Sequence, residues 1–96
     1  MRFKDKVVIV TGGGQGLGEA FCKGFAREGA HVAIVEINEA TGKKVEEEIR
    51  QSGGSAVFFK CDVSSKAQCQ ATVDQIMARW GRVDVLVNNS GVHSGG

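Results

Sequence analysis

Lys6-Val7-Val8-Ile9-Val10-Thr11-Gly12-Gly13-Gly14-Gln15-Gly16-Leu17-Gly18 decides the fold of this 96-residue chain. Val7 to Val10 form an unbroken β-branched run, the composition of a strand buried on both faces. Thr11 and five glycines within seven residues then break the run, and a helix-period pattern begins at Leu17. Strand, glycine turn and helix start, in that order, make a site for a phosphate. The helix N-terminus presents unpaired N–H groups and a partial positive charge, and residues without side chains let an anion approach them.

The spacing Gly12-x-x-x-Gly16-x-Gly18 is not a literal G-x-G-x-x-G, because Leu17 stands sixth when Gly12 is counted first. Nor is it a P-loop. Counting from Gly13 to Gly18, the next residue is Glu19, where a lysine is required. A carboxylate there repels a nucleoside triphosphate.

Outward from the turn, strands and helices alternate as β-α-β-α-β-α-β. The first helix is expected over Gly16–Glu28, with Leu17, Ala20, Phe21, Gly24 and Phe25 on its buried face and Gly29 as its stop. Gly18 and Gly24 suggest close packing on the strands. Ala30–Val35 reads as the second strand, delivering Glu36, 20 residues beyond Gly16. Asn38 caps a second helix running to Gln51, with an inner stripe of Ala40, Thr41, Val45, Glu48 and Ile49. Lys43–Arg50 is a solvated face with Glu46 and Arg50 placed to pair. Ala56–Lys60 is the third strand. Ser65 and Gln68 form a capping box for a third helix to Arg79, with Val73, Ile76, Met77 and Trp80 inward. Val83–Val87 is the fourth strand, and Val92–Gly96 reads as a loose tail.

Right-handed crossovers and a reversal after the third strand give a parallel sheet in the order 3-2-1-4. The first two helices then share one face and the third takes the other. Glycine turn, Glu36 and Asn88-Asn89 all arrive at the carboxyl edge, where open α/β sheets bind ligands. An acid ending the second strand accepts hydrogen bonds from adenosine ribose hydroxyls and repels a 2′-phosphate. Gln15 and Ile37 supply no compensating base, so NAD is favoured over NADP. Asp62, after the third strand, lies beside an adenine pocket in such a fold, or serves the start of the following helix.

Composition closes other classes. Hydrophobic residues make up 42% and charged residues 24%, ordinary for a soluble globular chain. A net charge of +1 with interleaved signs gives no footprint for nucleic acid or an anionic membrane. No long apolar run suggests a signal peptide or membrane span. Cys22, Cys61 and Cys69 lack metal-ligand spacing and read as free thiols of a cytoplasmic protein. His31 and His93 read as a solvated strand-start residue and a loop residue.

Thr11-Gly12-Gly13-Gly14-Gln15-Gly16-Leu17-Gly18 resembles the TGxxxGxG turn of the short-chain dehydrogenases/reductases. Asp62-Val63 resembles their adenine-side pair, and Asn88-Asn89-Ser90-Gly91 their NNAG element, with Ser90 where alanine is usual. The resemblance runs from Phe3 to Val92 and implies a Rossmann-like three-layer fold, residues 1–96 being one truncated NAD-binding domain. It implies that Gly12, Gln15, Gly16, Leu17 and Gly18 serve the pyrophosphate side. Glu36 would serve the ribose, Asp62 and Val63 the adenine, and Asn88, Asn89, Ser90 and Gly91 the nucleoside. Asn88 and Thr11 would tie the fourth strand to the first turn.

The family's chemistry, hydride transfer between nicotinamide and an alcohol or carbonyl, uses a Tyr-x-x-x-Lys pair with a serine and an asparagine downstream. This chain has no tyrosine, and Ser94 and His93 are no substitute, so alone it is expected to be catalytically incomplete. An apolar fourth strand at an edge, or an uncovered sheet face, predicts self-association. Two other readings stand beside this one. One is a non-enzymatic nucleotide-binding or assembly module. The other is the core of an S-adenosylmethionine-dependent methyltransferase, against which the Asn88–Gly91 element speaks.

Overall fold

The computed structural model describes residues 2–89. Its elements are β1 (Val7–Thr11), α1 (Gly16–Arg27), β2 (His31–Glu36), α2 (Glu39–Gln51), β3 (Ser55–Lys60), α3 (Lys66–Trp80) and β4 (Val85–Asn88). All pairings are parallel, in the order β3-β2-β1-β4, as expected. The register sets Thr11 beside both Val35 and Asn88, and Val35 beside Phe59. The carboxyl ends of all four strands therefore meet at one edge, with the glycine turn leaving a central strand.

The period-2 alternation of the strands divides the core into two layers. Val8, Val10, Val32, Ile34 and Ala56 face Cys22 of α1 and Val45 and Ile49 of α2. Val7, Ile9, Ala33 and Val35 face the other way, onto Cys61 and Ile76 of α3. Burying each Val or Ile contributes about 1.5–3 kcal/mol, so β1, buried from Val7 to Val10, anchors the turn that follows. At the opposite edge, Asp84 Oδ2 accepts the Val7 N–H at 2.8 Å, satisfying the donor that opens the central strand.

Helix boundaries follow local chemistry. Asn38 accepts the Thr41 N–H at 3.1 Å, and Ser65 accepts the Gln68 N–H at 3.2 Å. Gly29 and Gly81 take positive φ at the ends of α1 and α3. Gly42 lets α2 close on β3, because a Cβ there would enter the Phe58 ring.

Several expected packing roles are corrected. Leu17 is 59% exposed, because the first turn of α1 overhangs the sheet edge instead of lying on it. Gly24 is open: a Cβ there would meet only Arg27 Nη2, at 3.9 Å. On α2 the buried residues are Gly42, Val45 and Ile49, while Ala40 is exposed. On α3 Thr72 and Ile76 are buried, while Val73 and Met77 are 42% and 43% exposed. That face of α3 turns past β4, and no other described element covers it. Gln68 completes no capping box; its Oε1 accepts the Asp62 N–H at 2.8 Å. Glu46 turns from Arg50 to accept the Phe58 N–H at 2.7 Å. His31 is half-buried, bonded to Ser55 Oγ at 2.8 Å and stacked on Trp80.

Candidate functional site

The turn begins with a peg. The Gly12 and Gly13 N–H groups both donate to the Val35 carbonyl, at 2.8 and 3.4 Å, fixing the exit of β1 on β2. Gly12 then takes φ +65°, a left-handed conformation that side-chain-bearing residues rarely adopt. Gly18, at the first turn of α1, presses on the Gly12 carbonyl so closely that a Cβ would collide with it. Asn89 Nδ2 donates to that same carbonyl at 3.3 Å. Thr11 Oγ1 lies 3.2 Å from Asn88 Oδ1, the tie between β4 and the first turn that the resemblance implied. Beneath the turn, the Cys22 thiol donates to the Gly13 carbonyl at 3.7 Å; burial pushes the pKa of this thiol up to about 12.

Among the three helices, α1 alone has no side-chain cap: Gln15 accepts nothing from it, while Asn38 and Ser65 cap α2 and α3. Gln15, Gly16 and Leu17 are exposed at this end. The helix dipole and first-turn N–H groups are thus directed into an open glycine turn without a protein cap. Glu19, the acid of this turn, is drawn to Lys23 at 2.6 Å.

Glu36 is 6% exposed. Its Oε1 accepts the Gly14 N–H at 2.9 Å and its Oε2 the Asn38 N–H at 3.0 Å. A carboxylate has about four lone-pair sites, so two remain for a ligand. The bracket explains Gly14: a Cβ there would lie 2.8 Å from Glu36 Oε1 and 2.5 Å from Thr41 Oγ1. Asp62 Oδ1 accepts both the Ser64 N–H, at 3.0 Å, and its hydroxyl, at 2.7 Å. Those bonds hold the Asp62 carboxyl below its ordinary pKa, leaving it an anion with Oδ2 uncommitted to Ser64.

Gly12, Glu36, Asp62 and Val63 come together around one cavity of about 160 Å³, with Ile37 on its wall. A neighbouring cavity of about 420 Å³ is lined by Thr11, Val63 and Asn88 among others. A larger hollow between α1 and α2, around Lys23, Arg27 and Glu48, holds none of the expected site residues. Ser90, Gly91, His93 and Ser94 lie outside the described residues. Sequence reasoning missed Ile37 as a wall. Its signal was an apolar residue following the strand-two acid, and it is 57% exposed. It also missed Gln68, whose side chain supports the Asp62 backbone. Among the described residues no cluster could hold a metal ion, and the three cysteines are free, with Cys22 and Cys61 buried and Cys69 half-buried.

Residues 6–96 match the short chain dehydrogenase family. Cyclopentanol dehydrogenase of Comamonas testosteroni is 45% identical over 91 residues, covering 95% of this chain and 36% of that protein. A metagenomic short-chain oxidoreductase solved in complex with NADP superposes with a TM-score of 0.91 at 35% identity, covering 96% of this chain and 42% of that one. A Burkholderia phymatum short chain dehydrogenase/reductase solved in complex with NAD gives a TM-score of 0.86 at 30% identity, covering 90% and 31%. This chain belongs to the short-chain dehydrogenase family. It spans about 36% of the length of the cyclopentanol dehydrogenase it matches. Membership removes the methyltransferase alternative. No described helix is long and apolar enough to cross a membrane.

Proposed function

We propose that this chain is the NAD(H)-binding amino-terminal portion of a short-chain dehydrogenase, one Rossmann unit over residues 1–96. The observation that carries the reading is the uncapped N-terminus of α1 behind a glycine turn, on the same edge as two carboxylates. The cradle fits a dinucleotide. Gly18 is packed so tightly that only a residue without a side chain is accommodated, and beyond Gly16 a Cβ would meet nothing within 4 Å.

In this reading Gly12, Gln15, Gly16, Leu17 and Gly18 receive the pyrophosphate through backbone N–H groups. Glu36 receives the ribose hydroxyls on its free lone pairs. Asp62 and Val63, with Ile37, enclose the adenine. Asn88, Asn89, Ser90 and Gly91 line the nucleoside. When bound, the nicotinamide gives or takes a hydride at an alcohol or carbonyl carbon. The 96 residues hold no tyrosine, so the proton donor of a Tyr-x-x-x-Lys pair is not among them. NAD is preferred because the Glu36 carboxylate would repel a 2′-phosphate; its cross-strand neighbour Lys60 is drawn to Glu39 at 3.8 Å, and Lys43 on α2 pairs with Glu39 as well. A cytoplasmic location accords with three free thiols.

Calorimetric titration tests this directly. Saturable heat with NAD, weaker heat with NADP, and no turnover of added alcohols is the expected result. No heat with either ligand overturns the reading for this chain.

Self-association belongs to the same proposal. Among the described residues β4 is an edge strand, with Leu86 62% exposed on the rim of a cavity it shares with Val73; Val83 and Met77 are exposed apolar residues as well. Such an edge recruits another strand, or the apolar face recruits a second copy. Sedimentation at roughly tens of micromolar is expected to give a dimer or larger species. Leu86→Lys is expected to shift it toward monomer. A wild-type chain that sediments as a monomer contradicts the expectation.

A further inference from the structure

We propose, on the basis of the dinucleotide reading above, that Glu39 is a second determinant of cofactor choice, a positioning residue that holds the ammonium group of Lys60 away from the place where a 2′-phosphate would sit beside Glu36. Lys60 is the register partner of Glu36 across β2 and β3. Paired strands lie about 4.8 Å apart, and register partners project from the same face. Glu36 continues the alternation of Val32 and Ile34, and Lys60 that of Ala56 and Phe58, all in the layer that faces α1 and α2. Lys60 is therefore the cation that the sheet itself brings to the α2 side of Glu36.

Lys60 turns instead to Glu39. The Glu36 oxygens already accept the Gly14 and Asn38 N–H groups, at 2.9 and 3.0 Å. Lys60 Nζ lies 3.8 Å from Glu39 Oε1, and Lys43, one helical turn along α2, lies 2.9 Å from Glu39 Oε2. One carboxylate thus engages both cations. Lys43 first, then Lys60, holds the Glu39 carboxyl below its ordinary pKa, so it is ionised at neutral pH. The backbone beneath is fixed: Glu46 Oε2 accepts the Phe58 N–H at 2.7 Å, and Gly42 lies against the Phe58 ring. Glu39 opens α2 directly after Asn38, so these ion pairs adjoin the bracket that Glu36 makes.

A 2′-phosphate entering here meets two carboxylates while the nearby cations are engaged. Glu39, Lys43 and Lys60 are each more than half exposed, so solvent screens their pairing and Glu39 biases Lys60 without locking it. Removing the Glu39 charge frees Lys60 to turn toward Glu36, where a phosphate would hold it. NAD carries only a neutral hydroxyl at that position and gains nothing from the turn.

Calorimetry with NADP and NAD on Glu39→Gln is the test. The NADP-to-NAD affinity ratio is expected to rise about three- to tenfold, the range that one or two exposed charge interactions supply. Lys60→Met alone is expected to leave the ratio unchanged, and Glu39→Gln combined with Lys60→Met to lose most of the gain. A gain that survives in the double variant would mean that the Glu39 charge acts directly through space, which overturns the positioning role. A purely structural role at the start of α2 would weaken NAD and NADP alike and leave the ratio unmoved, which overturns it too. If the unsubstituted chain takes up neither cofactor, the dinucleotide reading falls and this role with it. Saturable NAD heat from both chains with an unchanged ratio sinks the role of Glu39 alone.

Discussion

Gly18→Ala is expected to weaken NAD binding more than about tenfold, whereas Gly24→Ala, six residues along the same helix, is expected to leave it intact and to stabilise the fold. The chemical change is identical: one methyl group in α1. At Gly18 the methyl would overlap the Gly12 carbonyl and come within 2.8 Å of Asn89 Nδ2. The Gly12 backbone cannot yield easily, because its N–H is fixed to the Val35 carbonyl at 2.8 Å and its φ is already +65°. The first turn of α1 must move instead, taking with it the N–H groups that would meet the pyrophosphate. Overpacking of this kind costs about 1–3 kcal/mol of stability. The displaced donors weaken binding more than about tenfold, which corresponds to about 1.4 kcal/mol.

At Gly24 a methyl meets only Arg27 Nη2, at 3.9 Å. There the substitution removes the helix-interior penalty of glycine, about 0.5–1 kcal/mol. Urea unfolding and NAD calorimetry on both variants read the two effects separately. Undiminished NAD binding by a folded Gly18→Ala chain would show that the close approach of α1 to the turn does not build the site.

These two glycines also mark where sequence reasoning succeeded and where it stopped. Periodicity placed both on the packed side of α1, yet one touches backbone and the other faces open space. Which glycine a neighbour presses on depends on where the helix crosses the strands, and that is a tertiary quantity. The same holds for Leu17, Val73 and Met77. Their helical spacing is apolar, but spacing names only a stripe, and which part of it finds a partner is decided by the sheet edge. Strand content, parallel order and helix caps were legible because they rest on local chemistry: β-branched runs, Asn38 and Ser65 at caps, Gly29 and Gly81 at stops. The site was legible as a set of positions at one edge, since the topology forces the turn, Glu36, Asp62 and Asn88 there. What local pattern could not express was the bracket that Glu36 makes with Gly14 and Asn38, which joins residues 22 positions apart.

That bracket gives Glu36 two separable tasks, and substitution is expected to split them. The buried carboxylate satisfies two backbone N–H groups, and it also places negative charge where the adenosine ribose is proposed to sit. Glu36→Gln keeps one oxygen acceptor but sets an NH₂ against the other N–H. A buried donor left unpaired costs about 1–3 kcal/mol, so the urea midpoint is expected to fall. The same change removes the charge that repels a 2′-phosphate. Unit charges 4 Å apart interact by about 4 kcal/mol at an effective dielectric of 20, so even a partly screened effect is large. The NADP-to-NAD affinity ratio is expected to rise at least about tenfold. Glu36→Asp supplies the complement. It keeps the charge and shortens the reach, so it loses bracket geometry and stability while still disfavouring NADP. Family membership does not settle the preference, since similar structures were solved with NAD and with NADP. If Glu36→Gln destabilises the chain but leaves the affinity ratio unchanged, Glu36 is a structural bracket for the glycine turn, and cofactor choice lies with other residues.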